Sequence, residues 1–360
     1  MKQHKVDILL LLLTFLTIIC FNSEIIGQRI YASSSILSSG EWYKISVQNS
    51  GIYKVNVQML NSLGINTSNI NSSSIRLFGN GGSMLPESNN ENRIDDLIEN
   101  PIQILDGGDG VFNGSDYFIF YANGAHDWLK DSINKSFKHQ LNLFSNECFY
   151  FITIGGTGKR ISTQTINLTA NISVTSFNER IFHEVDTINF LYSGKQWYGE
   201  EFNNNLGGIS SRAFSYSLNG LIQTEQMTLK TSVISRSIGA SNQLNIGLNN
   251  VQLPTISIPA VSGSYLDAFG IEIANQFQTF PISNNINLNF QFNSGSVNSQ
   301  LWLNWFEIFA RRNLTMQGVE QLLFRDWNSV GASNISQFNI SNSSASTQVW
   351  DITNSLNPIK

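Results

Sequence analysis

Residues 285–294 read NINLNFQFNS, and the order of these side chains decides the fold class. Ile286, Leu288, Phe290 and Phe292 alternate with Asn287, Asn289, Gln291 and Asn293. A period of two puts every apolar group on one face of an extended chain, as in a strand with one side buried. Just downstream, LWLNWFEIFARR (301–312) is apolar on both faces, the pattern of a strand covered from two sides. Upstream, Leu244, Ile246 and Leu248 run into Asn249-Asn250, after which Val251 and Leu253 resume, a hairpin signal. FNERIFHEVDTINF (177–190) fits helix or strand equally. Many short strands joined by Asn, Gly and Ser turns predict a β-sandwich over residues 166–315, with jelly-roll-like connections. No fixed-period repeat is present.

Working toward the N-terminus, a polar stretch around 163–175 separates this unit from another. Tyr43, Ile45 and Val47 alternate with Lys44 and Ser46; Asn49-Ser50-Gly51 turns the chain, and Tyr53, Val55 and Val57 resume the period. This spacing predicts a hairpin with one buried face. Met59, Leu60 and Leu63 stand at helical spacing, and Gly64 is placed to end a short helix. SIRLFGNGGSMLPE (74–87) reads as a strand entering a Gly-rich turn. DYFIFYANG (116–124) and ECFYFITIGG (147–156) read as central strands. Residues 28–165 are thus predicted to form a β-rich (α+β) domain, and the chain as a whole to be mainly β. Residues 316–360 read as a connector whose packing partner is absent, with strand-like alternation at Val349, Trp350 and Ile352.

The first 27 residues carry an export signal. Lys2 and Lys5 precede an apolar run from Ile8 to Ile19, and Gly27 offers a cleavage point that leaves Gln28 first. Lipidation at Cys20 is the competing reading, but it wants a small residue where Ile19 stands. No later stretch reaches the ~18 to 20 apolar residues of a spanning helix. With Cys20 removed, Cys148 is alone and no intrachain disulfide can form. Charged residues make up only 13% of the chain, the net charge is −5, and no basic stripe appears, which argues against nucleic acid as a partner.

The residues that could carry chemistry each meet an objection. A nucleophilic Cys148 would need His126, His139 or His183 within reach, yet it opens an apolar strand where inert thiols sit. LDGGDGVFNGSDYF (105–118) places Asp106, Asp109, Asn113 and Asp116 in a Gly-rich loop; these are the candidate calcium ligands. The spacing fails the EF-hand pattern and favours a capped turn feeding the next strand. GGTGKR (155–160) lacks the phosphate-loop pattern, which wants Gly at Thr153 and Ser or Thr at Arg160. Glu200 and Glu201 are adjacent, so on a strand they face opposite ways and cannot flank one glycosidic bond; surface or turn roles suit them better. Trp128, Trp197 and Trp302, if exposed, could stack on sugar rings. No catalytic residue is assigned and no cofactor is expected.

Six segments, in order, resemble the N-terminal region of the PorU-type, gingipain-like sortases of Bacteroidetes type IX secretion. They are SSILSSGEWYKISVQNSGIYKV (34–55), SIRLFGNGGSMLPE (74–87), RIDDLIENPIQILDGGDGVFNGSDYFIFYANGAHDW (93–128), FYFITIGGTGKRI (149–161), SGKQWYGEEF (193–202) and VWDITNSLNP (349–358). The resemblance implies a cell-surface cysteine endopeptidase at the outer membrane. It would remove C-terminal sorting domains from secreted cargo and join the new end to anionic lipopolysaccharide. Implied partners are an outer-membrane barrel of the PorV type, other attachment-complex proteins and the cargo itself. The family's catalytic His and Cys belong to a peptidase domain expected after these residues, which makes the chain a truncated product or fragment on this reading. A stand-alone exported carbohydrate-binding or adhesin-like sandwich is the alternative.

Overall fold

The computed structural model describes residues 31–192 and 194–360; the export signal expected over 1–27, with Cys20, lies outside them. Of the described residues, 42% are in strand and 4% in helix. The α content of the first domain amounts to one six-residue helix and short 3-10 turns.

In that domain the strands are β1 (Tyr43–Val47), β2 (Gly51–Asn56), β3 (Ile70–Asn71), β4 (Ile75–Phe78), β5 (Glu99–Asn100), β6 (Gln103–Leu105), β7 (Val111–Phe112), β8 (Tyr117–Ala122), β9 (Asp127–Asp131), β10 (Ser136–Gln140) and β11 (Cys148–Ile154), with α1 at Val57–Ser62. The Asn56 side chain caps α1 by accepting from Met59 N at 2.9 Å, and Gly64 follows its end in the left-handed region at φ +93°. The expected β1–β2 hairpin does not form. β1 pairs with β11 in the sheet β1-β11-β4-β5, while β2 pairs with β8 in the sheet β2-β8-β6. Asn49-Ser50-Gly51 carries the chain from one sheet to the other, so the apolar faces of both strands meet across one core instead of sharing one sheet. Leu60, Ile75, Leu77, Phe118, Phe120, Tyr150 and Ile152 fill it. β8 and β11 both lie in the interior of their sheets, as their apolar runs predict.

After β12 (Ile172–Val174) come β13 (Ser176–Glu184), β14 (Glu201–Asn203), β15 (Ser211–Ser217), β16 (Met227–Arg236), β17 (Asn242–Leu248), β18 (Val251–Gln252), β19 (Ile256–Ile258), β20 (Ile271–Thr279), β21 (Asn285–Ser294) and β22 (Gln300–Asn313). One sheet runs β13-β22-β16-β20, with β14 also on β22; the other runs β15-β21-β17, with β18 and β19 on β17. Counting β13 as the first long strand and β22 as the last, each sheet alternates early and late strands. That is the double Greek-key order of a jelly roll. Asn249 and Asn250, both at positive φ (47° and 69°), make the tight β17–β18 turn. Leu244, Ile246, Leu288, Phe290, Phe292, Leu303, Phe306 and Ile308 interdigitate between the sheets.

Residues 316–360 pack back onto both domains; they are not left without a partner. β23 (Ser336–Phe338) pairs in parallel with β12, Gln321 accepts from Ile52 N at 2.8 Å, and Ile359 bridges Ser162. Side-chain caps, backbone pairing and the Phe324–Phe338 ring contact hold this strap, which explains why little apolar pattern beyond Val349, Trp350 and Ile352 announced it.

Candidate functional site: a groove between the domains

β22 is apolar on both faces because both are covered. Its inner side chains enter the jelly-roll core, and a register shift in the β16–β22 pairing at Ser232/Val233 re-aims those that follow. On the outer face lies the β9–β10 hairpin of the first domain. Trp128 packs edge-on against Phe182 (6.3 Å) and Phe309 (5.9 Å), and His139 stacks on Phe182 at 3.4 Å. The Arg180 guanidinium lies between the Trp128 and Phe137 rings, at 4.7 and 4.6 Å. His139 N donates to Glu307 Oε1 at 2.7 Å. From the strap, Trp327 packs on Phe137, and Asp326 pairs with Arg311 at 2.5 Å.

Beside this contact runs a groove of about 620 Å³, walled by β10, β13, β16, β22 and the loop that bears Trp197. Its polar lining is unusual. Burial, with Asp186 and Glu307 nearby, pushes the Glu184 carboxyl up to about 8. Burial also raises Asp186 and Glu307. It lowers the His139 imidazole to about 3, helped by His126 and Arg180, and the Arg180 guanidinium to about 9, helped by Arg325. Lys138, Lys195 and Lys230 also line the groove, and Lys195 pairs with Glu87. At neutral pH the acid at its floor is therefore largely a neutral hydrogen-bond donor. Sequence reading missed this site. Its parts come from segments far apart in the chain, and the only local signal was the two-sided apolarity of β22.

The residues singled out from the sequence are dispersed. Cys148 Sγ donates to the carbonyls of Asn123 (2.9 Å) and Val47 (3.4 Å), and burial pushes its thiol up to about 11. The histidines have other neighbours: His126 Nδ1 accepts from Asn142 N, and His183 Nε2 meets Glu200 Oε1 at 2.7 Å. Glu200 is half-buried, unlike the surface or turn role expected of it. Burial works to raise its carboxyl, but the bonds to His183 and the nearby Arg212 outweigh it and hold the group below its ordinary value. Glu201 accepts instead from Gln300 (2.7 Å) and Asn203 (3.2 Å).

Asp106, Asp109 and Asp116 each accept a backbone N–H of their own loop, from Gly108, Val111 and Asn113 respectively. These are capped turns leading into β7 and β8. Among the described residues no group of three or more His, Cys, Asp or Glu side chains is placed to hold a metal ion. GGTGKR forms a structural corner. Arg160 donates to the carbonyls of Ser72, Ser73 and Ile75, and a Cβ at Gly158 would lie 2.2 Å from the Ile75 carbonyl oxygen. The tryptophans divide: Trp302 is only 3% exposed, Trp128 is packed in the domain contact, and Trp197 is 42% exposed at the groove. Trp302 is buried because it lies on the covered outer face of β22, against Phe190 and Tyr198.

No protein-family model and no curated protein sequence matches the chain. Among solved structures, dimeric latent PorU from Porphyromonas gingivalis matches with a TM-score of 0.73 and 21% identity, over 91% of this chain and 30% of that one. A calcium- and xylotriose-bound family 36 carbohydrate-binding module (TM-score 0.23, 8% identity, 36% of this chain and 98% of that one) is far weaker. So is a family 35 module from an environmental isolate (TM-score 0.23, 11% identity, 32% and 87%). Over nearly all of its length, the chain has the fold of a PorU-like region and spans about a third of the PorU chain it matches.

Proposed function

We propose that the chain is the non-catalytic scaffold of a PorU-type sortase, exported and held at the cell surface against the outer membrane. It carries a peptidase domain that lies beyond these residues and presents it to its partners, a barrel of the PorV type, other attachment-complex proteins and secreted cargo with C-terminal sorting domains. The observation that carries this reading is the shared fold with PorU across both domains and the strap, at a TM-score of 0.73. A locked interface between the domains suits a scaffold: the hairpin, Arg180 and the strap bind the two units through buried aromatic and ionic contacts. An active site within these residues has little support, since the lone thiol among the described residues is bonded to carbonyls and held near 11. The carbohydrate-binding alternative retains only Trp197 of its three tryptophans on the exposed surface.

The test is a pull-down with the cognate barrel. The chain from Gln28 to Lys360 is expected to bind it as full-length sortase does; failure of this chain where full-length protein succeeds removes the scaffold role.

A further inference from the structure

One end of the jelly roll is crowned by apolar loop tips. The strand registers bring the loops there together: Arg236 faces Gln300, Ser235 faces Ile271, Ser211 faces Gln291 and Asn242 faces Ser294. The loops before β15, after β16, before β20 and after β21 therefore emerge side by side. The β13–β14 loop joins them, because Phe190 stacks on Phe269 and packs edge-on against Trp302, both at 4.5 Å. From these loops Tyr192, Leu206, Tyr265 and Leu266 stand 97%, 108%, 92% and 80% exposed, with Ile238 and Val297 more than half exposed. A large apolar side chain left fully in water forgoes about 1.5–3 kcal/mol of burial, and here four stand almost fully in water at one end, with two more partly so.

We infer that this crown is a membrane-contacting surface, whose tips enter the interfacial layer of a lipid bilayer. Charge supports that occupant. Residues 185–200, 204–210, 237–241, 259–270 and 295–299 contain Lys195, Asp186, Glu200 and Asp267. Lys195 and Asp186 line the groove and Glu200 is bonded to His183, which leaves Asp267 at the crown. Docking there brings a single carboxylate, Asp267, toward the headgroups and desolvates little charge. The form of the crown agrees. The tips are spread over five loops, with only Tyr265 and Leu266 sharing one, so a fluid phase can mould around them, whereas a protein interface centres on packed anchors. Tyr192 and Tyr265 each pair an apolar ring with a hydroxyl, the side-chain type favoured at the membrane–water boundary. Loop backbone cannot follow into hydrocarbon with its N–H and C=O groups unpaired, so the tips reach only the headgroup–acyl boundary.

This surface stands apart from the sortase reading, because protein-free vesicles test it without the barrel. The chain beginning at Gln28 is floated with vesicles of phosphatidylcholine and of phosphatidylethanolamine–phosphatidylglycerol. It is expected to rise with both, and to do so at high as well as low salt. Leu206→Ser/Tyr265→Ser/Leu266→Ser should cut the floated fraction by roughly 10-fold or more, with an unchanged thermal melt because all three side chains are solvent-exposed. Phe280→Ser/Ile282→Ser, at the opposite end of the sandwich, should float as the parent does. If the triple variant melts early, Leu206→Ser alone is used and must still lower flotation. A parent chain that stays with the unbound fraction overturns the inference, as does equal flotation of parent and triple variant. A crown that instead mediates a concentration-dependent dimer in vesicle-free solution overturns it too.

Discussion

The two faces of the β13-β22-β16-β20 sheet are both covered, but by different chemistry. The inner face meets the second sheet through a cluster of buried apolar side chains that includes Leu303, Phe306, Ile308 and their neighbours. The outer face meets the β9–β10 hairpin through aromatic rings, a buried guanidinium and Glu307. Beside them the groove holds Glu184 and Asp186, so that three carboxyls lie where burial disfavours their ionisation. The inner contact makes the domain stable. The outer one makes its stability depend on pH, because each raised carboxyl and the lowered imidazole bind protons differently when unfolded.

Three measurements can break or sharpen that contrast. The largest effect belongs inside: Phe306→Ala, at a fully buried site, should cost about 3–5 kcal/mol in urea denaturation and carry the whole jelly roll with it. A loss well below that would mean the inner core is loosely packed. Next, Phe182→Ala removes the ring that stacks on His139 and touches Trp128, and should cost about 1–3 kcal/mol. Its signature is separation: the hairpin at 127–140 becomes open to proteolysis while the jelly roll stays folded. If both domains still unfold together, the outer face is not what couples them.

The smallest effect is Glu184→Gln. The folded chain keeps this proton up to about pH 8, whereas an unfolded carboxyl near the ordinary 4.5 has already released it. The native state thus holds more protons across that window, so stability is full below it and falls as pH rises through it. Asp186 and Glu307 act in the same direction; His139, lowered to about 3, instead costs stability as pH drops below 6.5. The amide should flatten the alkaline decline, with a gain on the order of 1–2 kcal/mol at pH 9 after allowance for partial exposure. Parallel pH–stability curves for parent and variant would acquit Glu184.

How much of this was legible in sequence depends on range. The alternation in NINLNFQFNS survives as β21, inward side chains and all, and the Asn249-Asn250 turn is where it was read. Strand identity is local, so periodicity reports it. Strand partners are not local: Asn49-Ser50-Gly51 was read as a hairpin turn but crosses between sheets, because Val47 and Val55 meet over the core and not along a ladder. The same limit hid the groove. The apolar outer face of β22 announced a cover without naming it, and Trp302, a sugar-stacking candidate if exposed, lies buried against Phe190 and Tyr198. The strap gave little sign beyond the alternation at Val349, Trp350 and Ile352, since backbone pairs and side-chain caps leave no long hydrophobic period.

The return of the strap has a mechanical consequence. Ile359 bridges Ser162, Lys360 N donates to Ser162 O, and Gln164 N donates to Lys360 O, so the chain closes a circuit just after the first domain. The whole jelly roll lies inside that circuit as a side branch. A pull applied between the first domain and Lys360 is borne by this short bridge, and the jelly-roll strands stay slack until it gives way.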